Sequence, residues 1–334
     1  MCSTDISFFS TDVFHSNALH VLTAIEIPVH LFGAFIVFTR TPNKMSSVKR
    51  NMMILHCAGA FCDIYISLIA SPVLTVPLCA GYPLGISVWL GIPTDVQVYL
   101  GFSLACVVGV ALLGFFEDRY HVLRNGTTRN RSWKRRVYLG VMYLFACFFM
   151  LPTYLSIPNQ NEGKMEVLRR IPCFPPDLLN RPGFFVLTLD TTVFLLCLAT
   201  VTIVLTSQLF FFAITIFYRL SYSPAKSKIL LRLQKQFMVA LGIQVVIPMF
   251  VFFIPTGYLL VAGTTNYYNQ AATNIFVIIF ALHGLTSTVT MLIVHTPYRD
   301  ATLEVLQCSK SKLSTISDGS RIWKTSIGAG VAQI

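Results

Sequence analysis

The sequence predicts an all-α membrane protein, a bundle of seven transmembrane helices with its N-terminus outside and its C-terminus in the cytoplasm. Two observations predict it. Seven long apolar segments run through the 334 residues, at roughly 18–39, 51–71, 96–116, 137–157, 186–217, 237–262 and 271–294, and nearly all positive charge lies in every second gap between them. A helix needs about 20 residues to cross a bilayer. Within lipid only helices or closed barrels satisfy their own backbone groups. The apolar runs are unbroken and lack the period-two alternation of a barrel strand, so helices are expected.

Charge sets the expected sidedness. The gaps 40–50, 119–136 and 219–235 carry four, seven and five Lys or Arg residues, and the tail after His295 carries five more. On the other side Lys164, Arg169, Arg170 and Arg181 complete the total of 25. Positively charged loops stay in the cytoplasm. The same placement excludes nucleic acid as the reason for the net charge of +11, because basic residues beside spans meet anionic lipid head groups. With 54% hydrophobic and 12% charged residues, a water-facing globule is excluded as well.

The expected organisation is an outer N-terminal segment, 1–17, a seven-helix domain, 18–308, and a disordered cytoplasmic tail, 309–334. The opening MCSTDISFFSTDVFHSN has no basic region or small-residue cleavage site, so no removable signal is expected. In the first span Glu26 and His30 are four residues apart and share a face on which they can pair. In the second, Asp63 stands about 18 Å from the inner start of its helix at about 1.5 Å per residue. An acid there is costly and needs a partner such as His283, Ser287 or Thr288 of the seventh span, or a bound cation. The outer loops 72–95 and 158–185 are rich in Pro and Gly and read as turns rather than helices. Of nine cysteines, only Cys2, Cys79 and Cys173 face the oxidising side. Cys79 with Cys173 is the expected bridge, and Cys2 leaves other pairings open.

Phe116-Glu117-Asp118-Arg119-Tyr120 ends the third span. An Arg flanked by carboxylates can be held in an intrahelical ion pair and released to a competing partner, the bistable element a switch requires. The basic gaps that follow offer a surface for an acidic protein or for lipid. Their Asn125 and Asn130 sequons face the cytoplasm and are expected bare. Asp190, near the outer end of the fifth span, can reach a ligand or the head groups. The sixth span contains Pro248 and Pro255, two backbone defects about two turns apart on nearly one face, which suit a hinged lever. Pro297 ends the seventh span, and the stretch after it reads as a short membrane-surface helix, with Cys308 placed for palmitoylation. No catalytic motif and no metal-ligand spacing is present in the sequence.

Several stretches resemble nematode seven-transmembrane chemoreceptors of the serpentine receptor class H group. They are Gly81-Tyr82-Pro83-Leu84-Gly85, Phe116–Tyr120, Leu233-Gln234-Lys235-Gln236 with Gln244-Val245-Val246-Ile247-Pro248, Tyr267-Tyr268-Asn269-Gln270, His283-Gly284-Leu285-Thr286-Ser287-Thr288 and His295-Thr296-Pro297-Tyr298-Arg299. The likeness spans about 15–306. It implies a G-protein-coupled receptor in the ciliated endings of chemosensory neurons, with a small environmental molecule and a heterotrimeric G protein as partners, no cofactor and no enzymatic activity. A receptor dimer stays open. By resemblance Arg119 acts at the inner end of the third span, with Glu117, Asp118 and Tyr120 beside it. Pro297-Tyr298 stands where rhodopsin-like receptors have Asn-Pro-x-x-Tyr, though no Asn precedes Pro297. The ligand is expected among the outer halves of the third, fifth, sixth and seventh spans, with Gln244, Tyr258 and Asn274 as polar candidates. The rival reading is a ligand-gated channel subunit or transporter of seven helices, against which stand the absence of a continuous polar stripe and of inverted repeats.

Overall fold

The computed structural model describes residues 7–307 except 42–45, 126–132, 172–173, 223–227, 266 and 306. Among the described residues six stretches are long and apolar enough to cross a membrane: Asp12–Arg40, Lys49–Ala70, Thr94–Arg124, Trp133–Leu155, Thr191–Tyr222 and Gln270–Val294. The remaining expected span, 237–262, lies inside a 38-residue helix, Lys228–Thr265.

Helix α1 (Asp12–Arg40) starts where Thr11 Oγ1 accepts the Phe14 amide at 3.2 Å, with Asp12 in its first turn, a favourable sign at a helix N-terminus. It therefore begins ahead of the expected boundary at 18. Its first turns carry Asp12, His15, Ser16 and Asn17, which an apolar-run reading passes over. Helix α2 (Ser46–Ile64) widens into a π-helical turn at Tyr65–Ala70, and Ser71 breaks it at φ 41°.

The loops 72–95 and 158–185 differ from expectation. Strands β1 (Pro72–Thr75) and β2 (Cys79–Pro83) form an antiparallel hairpin, Val73 facing Tyr82 and Thr75 facing Ala80. Pro72 and Pro83 sit at strand ends and Pro77 in the connecting turn, where no ladder amide is lost, and burial alternates along β1 and through Tyr82 in β2. Gly81 is needed because a Cβ there would collide with the Val73 carbonyl. A short helix, α3 (Ile86–Trp89), leads into α4 (Thr94–Asn125). The fourth span is α5 (Trp133–Phe148) and α6 (Leu151–Leu155), interrupted just before Pro152. Loop 158–185 then forms α7 (Gln160–Arg170), an 11-residue helix. The prolines at 158, 172, 175, 176 and 182 all fall outside it, while Glu162 in its first turn and Arg169 and Arg170 in its last complement the helix dipole. After α8 (Pro176–Leu179), strand β3 (Phe185–Thr188) joins the hairpin, giving the order β1-β2-β3.

Asp190 Oδ1 accepts the Thr192 amide at 2.9 Å and so caps α9 (Thr191–Tyr222); it is a structural cap rather than a buried intramembrane charge. Helix α10 (Lys228–Thr265) follows. The seventh span is two helices, α11 (Gln270–Ala281) and α12 (His283–Val294), parted at Leu282. Residues 296–300 and 301–305 are helical beyond it.

The sheet is laced to one end of the bundle. His15 Nε2 lies 3.1 Å from the Pro72 carbonyl, Gln270 Nε2 donates to Leu74 O at 3.0 Å, and Thr94 Oγ1 donates to Gly183 O at 2.8 Å. Tyr82 Oη donates to Asp12 Oδ1 at 2.7 Å, and Arg181 Nη2 stands 2.9 Å from Asp12 Oδ2. Beneath these bonds Val73, Tyr82, Phe174, Phe184 and Val186 form an apolar cap core. A second core, with Ile36, Met52, Phe115, Phe116, Ile216 and Tyr298, fills the opposite end.

Candidate functional site

At that opposite end, Glu117 and Asp118 are buried and Arg119 is half-buried. Arg135, on α5, donates Nε to Glu117 Oε1 at 2.6 Å and Nη2 to Glu117 Oε2 at 2.9 Å, a two-pronged pair. The same Nη2 reaches Asp118 Oδ1 at 3.3 Å. Asp118 Oδ2 accepts from Arg119 Nη2, also at 3.3 Å. The expected intrahelical pair therefore exists through Asp118, while Glu117 turns to another helix. In the sequence Arg135 stands only within a basic gap; it lies on a different helix from Glu117, so no periodicity along one helix pairs them.

The Arg119 guanidinium also lies 5.6 Å from the centre of the Phe115 ring. Tyr120 packs its ring 5.5 Å from that of Phe212 on α9, and Arg219 stands 5.6 Å over it. Tyr298 is buried with its hydroxyl 2.9 Å from Thr41 Oγ1. Burial pushes the Tyr298 phenol up, offset in part by the Thr41 hydrogen bond and by the positive charge of Arg119. Pro297 beside it is exposed. The structure thus brings Arg119 and Tyr298 into one electrostatic neighbourhood.

The middle of the bundle holds a polar network. His30 Nε2 lies 3.2 Å from Asp63 Oδ2, and His30 Nδ1 lies 3.1 Å from Thr288 Oγ1. Asp63 Oδ1 accepts the Gly284 amide at 3.0 Å. His56 Nε2 lies 2.9 Å from the His30 carbonyl. Two expectations change here. Glu26 takes a hydrogen bond from Ser67 Oγ at 2.8 Å instead of pairing with His30. Asp63 meets His30 and a backbone amide, with Thr288 one step away, so the histidine and the amide occupy both carboxylate oxygens. The break at Leu282 is what frees that amide: the first residues of a helix lack intrahelical acceptors. His283 is half-buried at the same break.

Two of the expected ligand residues have partners within the protein. Tyr258 stacks on Phe276, ring centres 4.2 Å apart, with its hydroxyl 3.5 Å from Thr273 Oγ1. Asn274 is buried and already engaged: its Nδ2 donates to Phe9 O at 3.0 Å, and its Oδ1 accepts from Gln270 Nε2 at 2.9 Å. The side chains of Gln244 and Pro248 lie outside the described residues, while the helix runs through both prolines and Pro255 is buried. Cys79 sits in β2, and Cys173 lies outside the described residues, as do Cys2, Cys308, Asn130 and the tail 309–334. A cavity of about 360 Å³ lies between α1 and α12 against Pro28, Phe32, Val289 and Leu292. It is apolar and away from the expected ligand position.

The sequence matches the model of a family described as serpentine type 7TM GPCR chemoreceptor Srh over residues 10–308. It is also similar to serpentine receptor class H-72 of Caenorhabditis elegans, 24% identical over 305 residues, covering 89% of this chain and 87% of that protein.

Proposed function

Because the chain belongs to the Srh family of serpentine seven-transmembrane chemoreceptors, a receptor family and not an enzyme family, we propose that it binds a small environmental molecule and passes the signal to a heterotrimeric G protein. The observation that carries the coupling part is the pair of buried carboxylates, Glu117 and Asp118, beside the half-buried Arg119 near the end of α4. Their ion pairs give a partner something to compete with.

In this reading the sheet-capped end faces outward, and the basic gaps after α1, α4 and α9 face a G protein in the cytoplasm. The charge alternation supports that sidedness. Ligand binding among the outer halves of the third, fifth, sixth and seventh spans favours an arrangement in which the inner end of α10 moves out, with Pro248 and Pro255 as its hinge. The ligand contributes only its differential affinity for the two arrangements. The proposed place of action is the sensory cilium of chemosensory neurons, where the small molecules arrive.

The test is nucleotide exchange on a heterotrimeric G protein in membranes from expressing cells, with a C-terminal tag probed before and after permeabilisation. The expected result is a tag hidden in intact cells and exchange that Arg119→Ala abolishes. A tag reachable on intact cells overturns the coupling mechanism.

A further inference from the structure

The cavity between α1 and α12 lies apart from the Arg119 group, and its volume is about 360 Å³. Val29 and Phe32 of α1 form one wall, and Val289, Leu292 and Ile293, which share a face of α12, form the other. Pro28, Val289 and Ile293 are exposed while Leu292 is buried, so the cavity opens sideways, where a spanning bundle meets hydrocarbon. Beside it the same two helices are in tight contact: a Cβ on Gly33 would strike Thr288 Cγ2. Thr302 also lines the cavity, beyond Val294, the last residue of α12, and so near the membrane boundary at the end opposite the sheet. Its helical stretch is tied to the end of α1, with Arg40 Nη1 3.0 Å from Glu304 Oε2 and Tyr298 Oη 2.9 Å from Thr41 Oγ1. Thr302 is half-buried, and its Oγ1 is shielded from water with no hydrogen-bond partner among the described residues.

We propose that this cavity binds a membrane sterol, its hydroxyl toward Thr302 and its hydrocarbon against Phe32, Val289 and Leu292. An occupant entering from the side is a lipid, and the lining selects among lipids. It is apolar except for one neutral hydroxyl, and a buried hydroxyl without a partner is costly until something bonds to it. A sterol brings a single hydroxyl that can both donate and accept, and rotation about the Thr302 χ1 bond turns Oγ1 to meet it. A phospholipid brings a phosphate, whereas among the described residues no Lys or Arg lines the cavity. Arg40 and Arg299 at that end each already face a carboxylate, Glu304 and Asp300. The depth fits as well. Pro28 stands about 18 Å from Arg40 at about 1.5 Å per helical residue, close to the roughly 15 Å of hydrocarbon in one leaflet. A sterol keeps its hydroxyl at the boundary and its tail toward the midplane, the order in which Thr302 and Pro28 occur.

The test is photolabelling of full-length receptor in phosphatidylcholine nanodiscs, mapped by mass spectrometry. One probe is a cholesterol analogue with a diazirine on its rings, the other a phosphatidylcholine with a diazirine in its acyl chain. The sterol probe should label peptides holding residues 28–32 and 289–293 several-fold above those of α9, whose exposed Ile203 and Phe210 report ordinary lipid contact. Unlabelled cholesterol should remove that excess. Thr302→Val, which keeps the shape and loses the hydroxyl, should lower it several-fold, and Thr302→Ser should keep it. Val289→Trp, at the exposed lip where the fold has room for a larger side chain, should abolish it. The phospholipid probe should label both regions alike in every protein. Sterol labelling no greater at the cavity than on α9, or not displaced by cholesterol, shows lipid contact only and overturns the proposal. So does preferential labelling of the cavity by the phospholipid probe, or sterol labelling that Thr302→Val leaves unchanged. None of these readouts involves a G protein, so the sterol site stands or falls separately from coupling.

Discussion

Asp63 on α2 caps α12 from across the bundle, its Oδ1 accepting the Gly284 amide at 3.0 Å while its Oδ2 faces His30 Nε2 at 3.2 Å. One carboxylate thereby joins the first, second and seventh spans, at the point where the seventh is broken. Gly284 must be glycine for this approach, since a Cβ there would collide with the Asp63 carboxylate.

Asp63→Ala should therefore lower stability by about 3 kcal/mol, the order expected when one member of a buried pair is removed. Asp63→Asn, which keeps an oxygen for the amide, should cost less. Thermal unfolding of purified receptor in detergent measures both. Equal midpoints for wild type and Asp63→Ala would show that the capping contributes nothing.

Asn274→Ala separates a structural from a ligand-binding role. Asn274 Nδ2 holds the Phe9 carbonyl at 3.0 Å, so its loss should free the Phe8–Ser10 turn and cost about 1 kcal/mol. Amide hydrogen exchange should quicken at residues 8–14 with no ligand present. Unchanged exchange there would return Asn274 to the list of ligand contacts.

His295 makes stability depend on pH. It is 3% exposed, and burial pulls it from 6.5 down to about 4. An unfolded chain takes up the proton near 6.5 while the folded one resists until about 4. Stability is then full above 6.5 and falls as the pH drops through that window, by about 1.4 kcal/mol per pH unit. Unfolding midpoints at pH 7 and pH 5 should differ more for wild type than for His295→Gln. Parallel shifts in the two proteins would remove His295 from the account.

The expected bridge between Cys79 and Cys173 predicts one linked peptide pair in non-reduced digests of receptor from the cell surface. Burial would push a free Cys79 thiol up to about 11, leaving it slow to alkylate in the folded state. Denaturation without reduction should leave Cys79 unlabelled, and reduction should expose it. Labelling of Cys79 on denaturation alone would show that no bridge forms.

The spans and the alternation of charge were open to the sequence alone because the bilayer is a uniform solvent. Apolar length can be counted along the chain, and six of the expected segments correspond to helices long enough to cross. The Arg119 motif was equally local, since Asp118 is its neighbour. What only the tertiary structure decided is which distant groups meet. Glu117 finds Arg135, Asp63 finds Gly284, and strand 79–83 finds strand 185–188. Those meetings depend on how far each helix is rotated and tilted against the others, which is settled by packing all the spans together. A break at Leu282 or a helix in loop 158–185 is hidden for the same reason: local composition there permits several conformations, and the neighbours choose among them.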